Sequence, residues 1–337
     1  MRYLDIAGLT PAASVVGLGG RFGEIDPDRA FELLDAFVEA GGTLIDTAHA
    51  YADGMSERTL SAWMAERGNR ARILLVDKGC HPGPDGRPRV HPRFLRSDLR
   101  ESLDRLVTGR IDLFLLHRDD PAVPVEPLVE ALNQEVTSGT IARFGVSNWR
   151  PERVDAANRY ARSNGLMTIS VVSTHLSLAV PREPLWPGTL CADAEVRLWH
   201  RRSGVPLLAW SSQARGWFAG RHLRADTADG PARRVFGSPE NIERLRRARA
   251  LASTHRCSAT AVALAYVLCQ PFRVVALIGP ETLPELLDSL SAIDLRLSPE
   301  DLLFLEGDAP PGAGSAHGGE GMAAVGQREA PACSGNR

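Results

Sequence analysis

Eight short apolar segments, each followed by a stretch with helical spacing, constrain the fold more than any other feature of this sequence. They cover residues 14–20, 43–48, 73–78, 111–117, 141–147, 168–174, 206–211 and 273–278. Segments that are apolar at successive positions are typical of parallel strands, because such strands are buried on both faces. An open doubly wound sheet is one possible arrangement, but eight repeats with polar residues at several strand ends favour a closed barrel. We therefore predict an α/β fold of the (β/α)8 TIM-barrel type.

Both ends of the chain depart from this pattern. Residues 1–13 alternate loosely between apolar and polar and contain Gly8 and Pro11, which predicts a short hairpin before the barrel. Residues 307–337 are mostly Gly, Ala and Pro without apolar periodicity, so we expect a disordered tail after one barrel domain of residues 1–306. The alternative is a tail that folds over the mouth of the barrel.

Composition and charge argue against several classes of protein. The formal net charge is −2 and the arginines are scattered, which disfavours a nucleic-acid or anionic-membrane partner. No apolar run approaches the roughly 20 residues of a membrane helix, and the N-terminus lacks the pattern of a signal peptide. Five widely spaced cysteines without a C-x-x-C pair predict free thiols in a reducing compartment. We expect a cytoplasmic protein, a monomer or small homo-oligomer, without a metal.

Titratable side chains lie at the ends of three predicted strands. Asp46, Lys78 and His117 end the second, third and fourth strands, and Tyr51 follows Asp46 by five residues. In parallel barrels, catalytic groups collect at the C-terminal ends of the strands. A buried ammonium lowers the pKa of a phenol, which is about 10 in water. Lys78 could thus make Tyr51 a better proton donor while Asp46 keeps the lysine charged, and His117 could bind a carbonyl oxygen or relay the proton.

Each of these four residues also has a purely structural alternative. An aspartate at a strand end can cap the following turn, and a lysine there can extend to solvent. A histidine that follows two leucines can be a hydrogen-bonded core residue. The occurrence of all four types together, each near a strand end, favours a catalytic role over these alternatives.

The same four residues, in this chain order, resemble the proton-transfer tetrad of the aldo-keto reductases. Other stretches similar to that family are residues 145–149 (GVSNW), 209–216 (AWSSQARG) and 276–283 (ALIGPETL), and the resemblance extends over about residues 4–305. It implies an oxidoreductase that transfers a hydride between NAD(P)H and a small carbonyl or alcohol substrate. Tyr51 would be the general acid/base, assisted by Lys78, Asp46 and His117.

The resemblance also implies a groove for NAD(P)H. Ser147 and Asn148 would hold the nicotinamide carboxamide and Trp210 would stack on the ring, although plain barrel packing is the alternative role for this tryptophan. The backbone of residues 211–216 would surround the pyrophosphate, and residues 278–289 would hold the adenosine end. The predicted cofactor residues are Ser147, Asn148, Ser173, Trp210, Ser211, Ser212, Gln213, Ala214, Arg215, Gly216, Ile278, Gly279, Pro280, Glu281, Thr282, Glu285 and Ser289.

Three positions depart from the family pattern. Glu281 stands where the family usually has an arginine that binds the 2′-phosphate of NADP. A carboxylate there repels phosphate and can accept hydrogen bonds from a free ribose hydroxyl, so we expect NADH to be used at least as well as NADPH. Ser173 replaces a glutamine beneath the nicotinamide, and Ser289 replaces an asparagine near the adenine. Both changes could weaken cofactor binding.

The substrate pocket is expected on the loops that follow the strands. The candidate residues are Arg21, Phe22, His49, Arg118, Trp149, Trp217 and Phe218. Their aromatic and basic groups suit a polar carbonyl compound, such as a sugar or a polyketide-like ketone. Two other functions stay open: a lyase that uses Lys78 as a Schiff-base nucleophile, and a nicotinamide-binding regulatory subunit with little turnover.

Overall fold

A closed barrel of eight parallel strands forms the centre of the protein in the computed structural model, which describes residues 1–20, 22–220 and 230–307. In chain order the strands are β1 (Tyr3–Leu4), β2 (Ala13–Ser14), β3 (Val16–Gly19), β4 (Leu44–Asp46), β5 (Leu74–Gly79), β6 (Ile111–Leu116), β7 (Ile141–Ser147), β8 (Val172–His175), β9 (Leu207–Trp210) and β10 (Val274–Ile278). Strands β1 and β2 pair antiparallel as a separate hairpin. The others pair in chain order, and the barrel closes where β10 meets β3.

Helices cover the outside of this barrel. They are α1 (Pro27–Glu39), α2 (Met55–Arg67), α3 (Pro92–Leu106), α4 (Val125–Thr137), α5 (Pro151–Ser163), α6 (Ala194–Ser203), α7 (Pro231–Phe236), α8 (Pro239–His255), α9 (Ala259–Leu268), α10 (Leu283–Ser291) and α11 (Pro299–Glu306). The start of α1 shows how local sequence sets these bounds. The Asp26 side chain accepts hydrogen bonds from two amides of the first turn, and Pro27 occupies the first helical position. Within the described ranges, no helix has the length and apolarity to cross a membrane.

The interior of the barrel is a separate apolar cluster built from alternate residues of the strands. Leu44, Leu74 and Val76 belong to it, and so do Leu113 and Leu115. Because successive side chains of a strand point to opposite faces, the next inward position on β4, β5 and the end of β6 is polar. Those positions form a polar layer on top of the apolar one, at the C-terminal ends of the strands. The N-terminal hairpin contributes three further residues to the inner cluster and closes the opposite end.

The barrel and the hairpin confirm the prediction from sequence, but several strands are shorter than the predicted segments, and the start of β8 differs most. Strand β8 begins at Val172 rather than at residue 168. The amides just before it bond to helix side chains instead of continuing the strand: Met167 N donates to Asn133 Oδ1, and Ile169 N donates to Asn158 Oδ1, both at 2.8 Å. The predicted tail lies outside the described residues except for Gly307, and Arg21 also lies outside them.

Candidate active site

The four titratable residues selected from the sequence meet at the C-terminal end of the barrel. Asp46 ends β4, Lys78 is the next-to-last residue of β5, and His117 directly follows β6. All three point inward because each lies two residues beyond an inner apolar side chain of its strand. Tyr51 begins a 3₁₀ turn, Tyr51–Gly54, in the loop after β4. The side chains of Asp46, Lys78 and His117 are all nearly inaccessible to solvent.

Lys78 Nζ is the centre of the hydrogen-bonded group. It lies 2.7 Å from Asp46 Oδ1 and 2.8 Å from Asp46 Oδ2. It also donates to the backbone oxygen of Thr47 at 2.9 Å and to Tyr51 Oη at 3.3 Å. The rings of Tyr51 and His117 meet edge to face, with 5.6 Å between their centroids. The Asp46 carboxylate, the Lys78 ammonium and the Tyr51 phenol are therefore connected by hydrogen bonds. The His117 imidazole lies beside the phenol.

Burial dominates the protonation of this group. It raises the pKa of Tyr51, and the nearby Lys78 ammonium lowers that pKa without overcoming the effect of burial. The expectation of a net lowered pKa for Tyr51 therefore fails, because the site excludes the water that would solvate a phenolate. Burial also disfavours charge on Lys78, but Asp46 and Tyr51 outweigh it and raise the lysine pKa. At neutral pH the site thus holds a protonated phenol and a charged ammonium.

His117 is a neutral imidazole in this environment. Burial lowers its pKa well below 6.5, and the positive charges of Lys78 and Arg118 lower it further. Its Nδ1 is buried without a hydrogen-bond partner among the residues that the structure describes. The His81 ring packs edge-on against it, with centroids 4.8 Å apart. A neutral histidine can donate one hydrogen bond and carries no charge that would compete with Lys78.

Unusual backbone conformations concentrate around this end of the barrel. Ten non-glycine residues of the described ranges have positive φ, and seven of them lie in loops that follow strands of the barrel: Ala52, Asp53, Cys80, Asn148, Ser211, Ala214 and Arg215. Such conformations each cost on the order of 1 kcal/mol or more and concentrate at functional sites. Their distribution marks the same face of the barrel as the polar layer does.

The predicted carboxamide-binding residues form one network on β7 and β8. Ser147 Oγ donates to the backbone oxygen of Ser173 at 3.0 Å. Asn148 Nδ2 donates to Ser147 Oγ at 2.9 Å, and Asn148 Oδ1 accepts from the amide of Leu190 at 3.1 Å. The structure therefore brings Ser147, Asn148 and Ser173 together and fixes the asparagine through the loop between β8 and α6.

Trp210 ends β9 beside this network. It is in register with His175 of β8, and the two rings are 5.0 Å apart, while Trp186 lies 5.8 Å from the indole. The Trp210 ring is partly exposed, and its Nε1 is buried without a hydrogen-bond partner in the described part of the chain. The ring therefore presents an accessible surface at the mouth instead of filling only the core.

The segment after Trp210 is a loop tied to the last strand and helix of the barrel. Its backbone is left-handed at Ser211 and again from Ala214 to Gly216. Ser212 Oγ donates to Leu277 O at 2.8 Å, and Gln213 Nε2 donates to Ser289 Oγ at 2.9 Å. These bonds connect the loop to β10 and α10, so the residues predicted for the pyrophosphate and for the adenosine end lie side by side.

Two carboxylates stand at the start of α10. Glu285 Oε2 accepts the backbone amide of Glu281 at 2.8 Å, and Thr282 caps the helix by accepting from the amide of Glu285 at 3.4 Å. Glu281 is only partly buried. The N-terminal end of a helix attracts negative charge. At the start of α10 the carboxylates of Glu281 and Glu285 supply that charge.

The structure separates the predicted substrate residues into two groups. His49 Nε2 lies 2.8 Å from Glu101 Oε2 at the rim. Trp149 Nε1 donates to the backbone oxygen of Arg118 at 3.1 Å, which holds these two residues together beside His117. Phe22 is also buried, at 3% exposure, in the loop after β3.

Trp217 and Phe218 occupy a different environment from the residues near His117. They are only 1% and 2% exposed, and Trp217 Nε1 donates to Asn241 O of α8 at 3.3 Å. The Trp217 ring also packs near Phe236. These contacts fit a packing role for both residues better than contact with a substrate.

Sequence reasoning missed a buried polar network behind the tetrad. Asp77 precedes Lys78, so it points to the opposite face of β5, toward the helices, where it is fully buried. Arg105 Nη1 lies 2.8 Å from Glu57 Oε2 and donates to the backbone oxygen of His49 at 3.0 Å. The network thereby anchors the loop that carries Tyr51. Strand alternation at Asp77 was the signal in the sequence that could have revealed it.

Replacing Asp77 by Asn is expected to flatten the dependence of stability on pH. Burial, together with the charge of Glu57, raises the pKa of Asp77 to about 8. The folded state therefore keeps a proton that the unfolded state loses, and stability falls as pH rises from about 4 to about 8. Melting temperatures between pH 5 and pH 9 should decline more steeply for the wild type than for Asp77→Asn. Asp85→Asn, in an exposed loop, is the control, and parallel curves for Asp77→Asn and the wild type would contradict the assignment.

Comparison with known proteins identifies the family of this chain. The family model described as "Aldo/keto reductase family" matches residues 15–306. Aldo-keto reductase ausK from Emericella nidulans is 32% identical over 311 residues, which cover 86% of this chain and 75% of that protein. Norsolorinic acid reductase from Aspergillus flavus is 31% identical over 88% of this chain and 75% of its own length. A putative aryl-alcohol dehydrogenase from Saccharomyces cerevisiae is 31% identical, covering 86% of this chain and 79% of that protein.

A solved structure shares the fold. The crystal structure of the thermostable aldo-keto reductase Tm1743, in complex with the inhibitor epalrestat, superposes with a TM-score of 0.70 at 22% identity. The match covers 91% of this chain and 99% of that chain. Because the family model spans almost the entire described barrel and the relatives match over most of their own length, this chain belongs to the aldo/keto reductase family of oxidoreductases.

Proposed function

We propose that this protein is an NAD(P)(H)-dependent carbonyl reductase that uses Tyr51 as its general acid/base. The observation that carries the proposal is the position of Lys78 Nζ, which is ion-paired to Asp46 and 3.3 Å from Tyr51 Oη in a buried site. This arrangement places the proton donor, Tyr51, next to the Lys78 ammonium, whose charge stabilises the phenolate that forms when the proton leaves. His117 lies against the same phenol and supplies a neutral hydrogen-bond donor.

The residues of β7 to β10 fit a nicotinamide dinucleotide. The accessible Trp210 ring offers a flat surface, and the left-handed turns of the following loop offer a concave backbone of the kind that binds phosphates. Ser147 and Asn148 would hold the carboxamide, residues 211–216 the pyrophosphate, and the start of α10 the adenosine end. When bound there, NAD(P)H supplies the hydride that no side chain can provide.

The chain's own residues donate and accept the proton. Tyr51 Oη donates a proton to the carbonyl oxygen as negative charge develops on it, and Lys78 stabilises the phenolate that remains. Asp46 keeps Lys78 charged in a site with little water. His117 donates a hydrogen bond to the same substrate oxygen and so orients the carbonyl. In the direction of alcohol oxidation, the phenolate of Tyr51 accepts the proton.

The lyase alternative is less well supported. A Schiff-base lysine must lose its proton to attack a carbonyl, which requires a lowered pKa. Lys78 instead has two contacts with Asp46 and a raised pKa. A borohydride-trapped adduct on Lys78 would favour the lyase. Negligible turnover on every carbonyl compound tested would favour the regulatory-subunit alternative.

Aromatic and polyketide-like carbonyl compounds are the proposed substrate class. Relatives named for norsolorinic acid reduction and aryl-alcohol oxidation support this choice over sugars. The test is a panel of benzaldehydes, aryl ketones and sugar aldehydes, with both cofactors, followed by cofactor absorbance. Turnover of at least one aryl carbonyl is expected. Activity on sugars alone would overturn the substrate class, and no activity on any member would overturn the proposed reaction.

NADH is expected to serve at least as well as NADPH, because Glu281 and Glu285 would repel a 2′-phosphate at the start of α10. Glu281→Arg should raise kcat/KM for NADPH by about tenfold or more, since an arginine can bind phosphate bidentately. The same charge change at Glu39, exposed at the end of α1, is the control and should leave the cofactor ratio unchanged. A hundredfold preference of the wild type for NADPH would refute this proposal.

A further inference from the structure

Arg118 is a nearly buried cation without an acidic partner among the residues that the structure describes. It follows His117, and its side chain is only 9% exposed. Its Nη1 donates to the backbone oxygen of His117 at 3.0 Å, while its Nε is buried without a hydrogen-bond partner among the described residues. Over the ranges that the structure describes, no carboxylate forms an ion pair with this guanidinium. Asp119, the next residue, is paired with Arg153 at 2.6 Å, and Asp46 of the tetrad is paired with Lys78.

The surroundings of Arg118 place it in the reaction site. Its positive charge lowers the pKa of Tyr51, which places the guanidinium within electrostatic range of the phenol. Trp149 Nε1 donates a hydrogen bond to the backbone oxygen of Arg118. Gly188, in the loop between β8 and α6, comes so near that an added Cβ would lie 3.9 Å from Arg118 Cδ. The guanidinium is thus enclosed between the tetrad and that loop.

In the described part of the site, the Arg118 guanidinium is a buried positive charge with which no carboxylate pairs. Lys78 and Asp46 cancel, and Arg153 and Asp119 cancel. His117 is neutral, and burial likewise lowers the pKa of His81, which keeps that ring neutral at pH 7. Burial also lowers the pKa of Arg118 itself. Buried charges are ordinarily paired, because an isolated one loses its hydration without compensation.

A carboxylate of the ligand is the group that best completes this site. The guanidinium is a planar set of donors that matches the two oxygens of a carboxylate. A carboxylate carries one negative charge and would balance the site, whereas a phosphate dianion would leave an excess negative charge. The cofactor phosphates are unsuitable partners, because their proposed residues follow β9 and β10, and β7 and β8 separate those from β6.

We propose that Arg118 binds a carboxylate of the substrate, so that the preferred substrates are carbonyl compounds that carry a carboxylate group. This inference rests on the proposed carbonyl reductase function and narrows its substrate class. Arg118 would fix the orientation of the substrate, while Tyr51 and His117 would act on the carbonyl oxygen.

The test compares matched acids and esters. Wild-type enzyme is assayed with 2-, 3- and 4-formylbenzoate and with their methyl esters, because the three isomers vary the distance between the carboxylate and the aldehyde. At least one acid should exceed its ester in kcat/KM by about tenfold or more, mainly through KM. In Arg118→Met this ratio should fall to about one, and Arg118→Lys should retain part of it. Arg150→Gln removes an exposed arginine nearby and should keep the wild-type ratio.

Two outcomes would overturn the inference: acid-to-ester ratios near one for all three isomers in the wild type, or a ratio that survives in Arg118→Met. A second measurement does not depend on turnover or on the variant's activity. Benzoate should raise the melting temperature of the wild type and of Arg118→Lys but not that of Arg118→Met. Absence of turnover on acids and esters alike would refute the proposed function, and the benzoate measurement would then still decide whether Arg118 binds a carboxylate.

Discussion

Tyr51→Phe is expected to lower the rate of carbonyl reduction by about 10²- to 10⁴-fold, the usual contribution of a positioned general acid. The substitution removes only Oη, the atom that lies 3.3 Å from Lys78 Nζ. The ring contact with His117 and the fold of the 3₁₀ turn do not depend on that oxygen. Turnover should therefore fall while cofactor binding, followed by quenching of tryptophan fluorescence, stays close to that of the wild type.

The control for this experiment is Tyr3→Phe, which removes the same atom from an exposed tyrosine in the N-terminal hairpin. It should have wild-type activity. The direction of the Tyr51 pKa adds a second readout. Because burial raises that pKa above 10, the phenol should remain a proton donor throughout the neutral range, and alcohol oxidation, which needs the phenolate, should accelerate as pH rises. More than a tenth of wild-type turnover in Tyr51→Phe would contradict the role of Tyr51.

Lys78→Met is expected to reduce both stability and activity. It leaves the Asp46 carboxylate in a buried site without the ammonium 2.7 Å away. Breaking one half of a buried ion pair costs about 3–5 kcal/mol in the free energy of unfolding. Activity should fall as well, because the phenolate of Tyr51 loses the ammonium that lies nearest to it.

The double variant Asp46→Asn/Lys78→Met separates these two effects. It removes both charges, so much of the lost stability should return, while turnover should stay low. Urea unfolding measures the first quantity and carbonyl reduction the second. Arg87→Met is the matched control, because Arg87 pairs with Asp85 in an exposed loop, and exposed pairs contribute little to stability. Equal stability of Lys78→Met and the wild type would show that the pair is not the buried element described here.

The sequence was sufficient to predict the barrel and the tetrad because both depend on strand alternation. Apolar runs with a polar residue at the end place Asp46, Lys78 and His117 in one layer once the strands close. The alternation also determines that Asp77 faces the helices, although the effect of the Glu57 charge on its pKa depends on how α2 packs. The late start of β8 could not be predicted, because it results from side-chain hydrogen bonds made by Asn133 and Asn158 on two helices.

Electrostatics were the least predictable part of the site. The distance between Lys78 and Tyr51 agrees with the expected roles, yet the pKa of the phenol shifts upward. The cause is burial, which depends on the packing of the whole mouth of the barrel and not on a single sequence motif. The lack of an acidic partner for Arg118 in the described ranges was equally unpredictable, because it follows from the pairing of Asp119 with Arg153. Trp217 was predicted from the sequence to contact the substrate, but it is buried in the structure and packs against other residues.

The most direct test of the central claim is the fate of deuterium from a reduced cofactor that carries deuterium at both positions of C4 of the nicotinamide. With an aryl aldehyde and the wild-type enzyme, mass spectrometry of the product should find one deuterium on the carbinol carbon, and Tyr51→Phe should form almost no labelled product. An alcohol without the label, or equal labelled yields from the two proteins, would contradict a direct hydride transfer assisted by the Tyr51 proton.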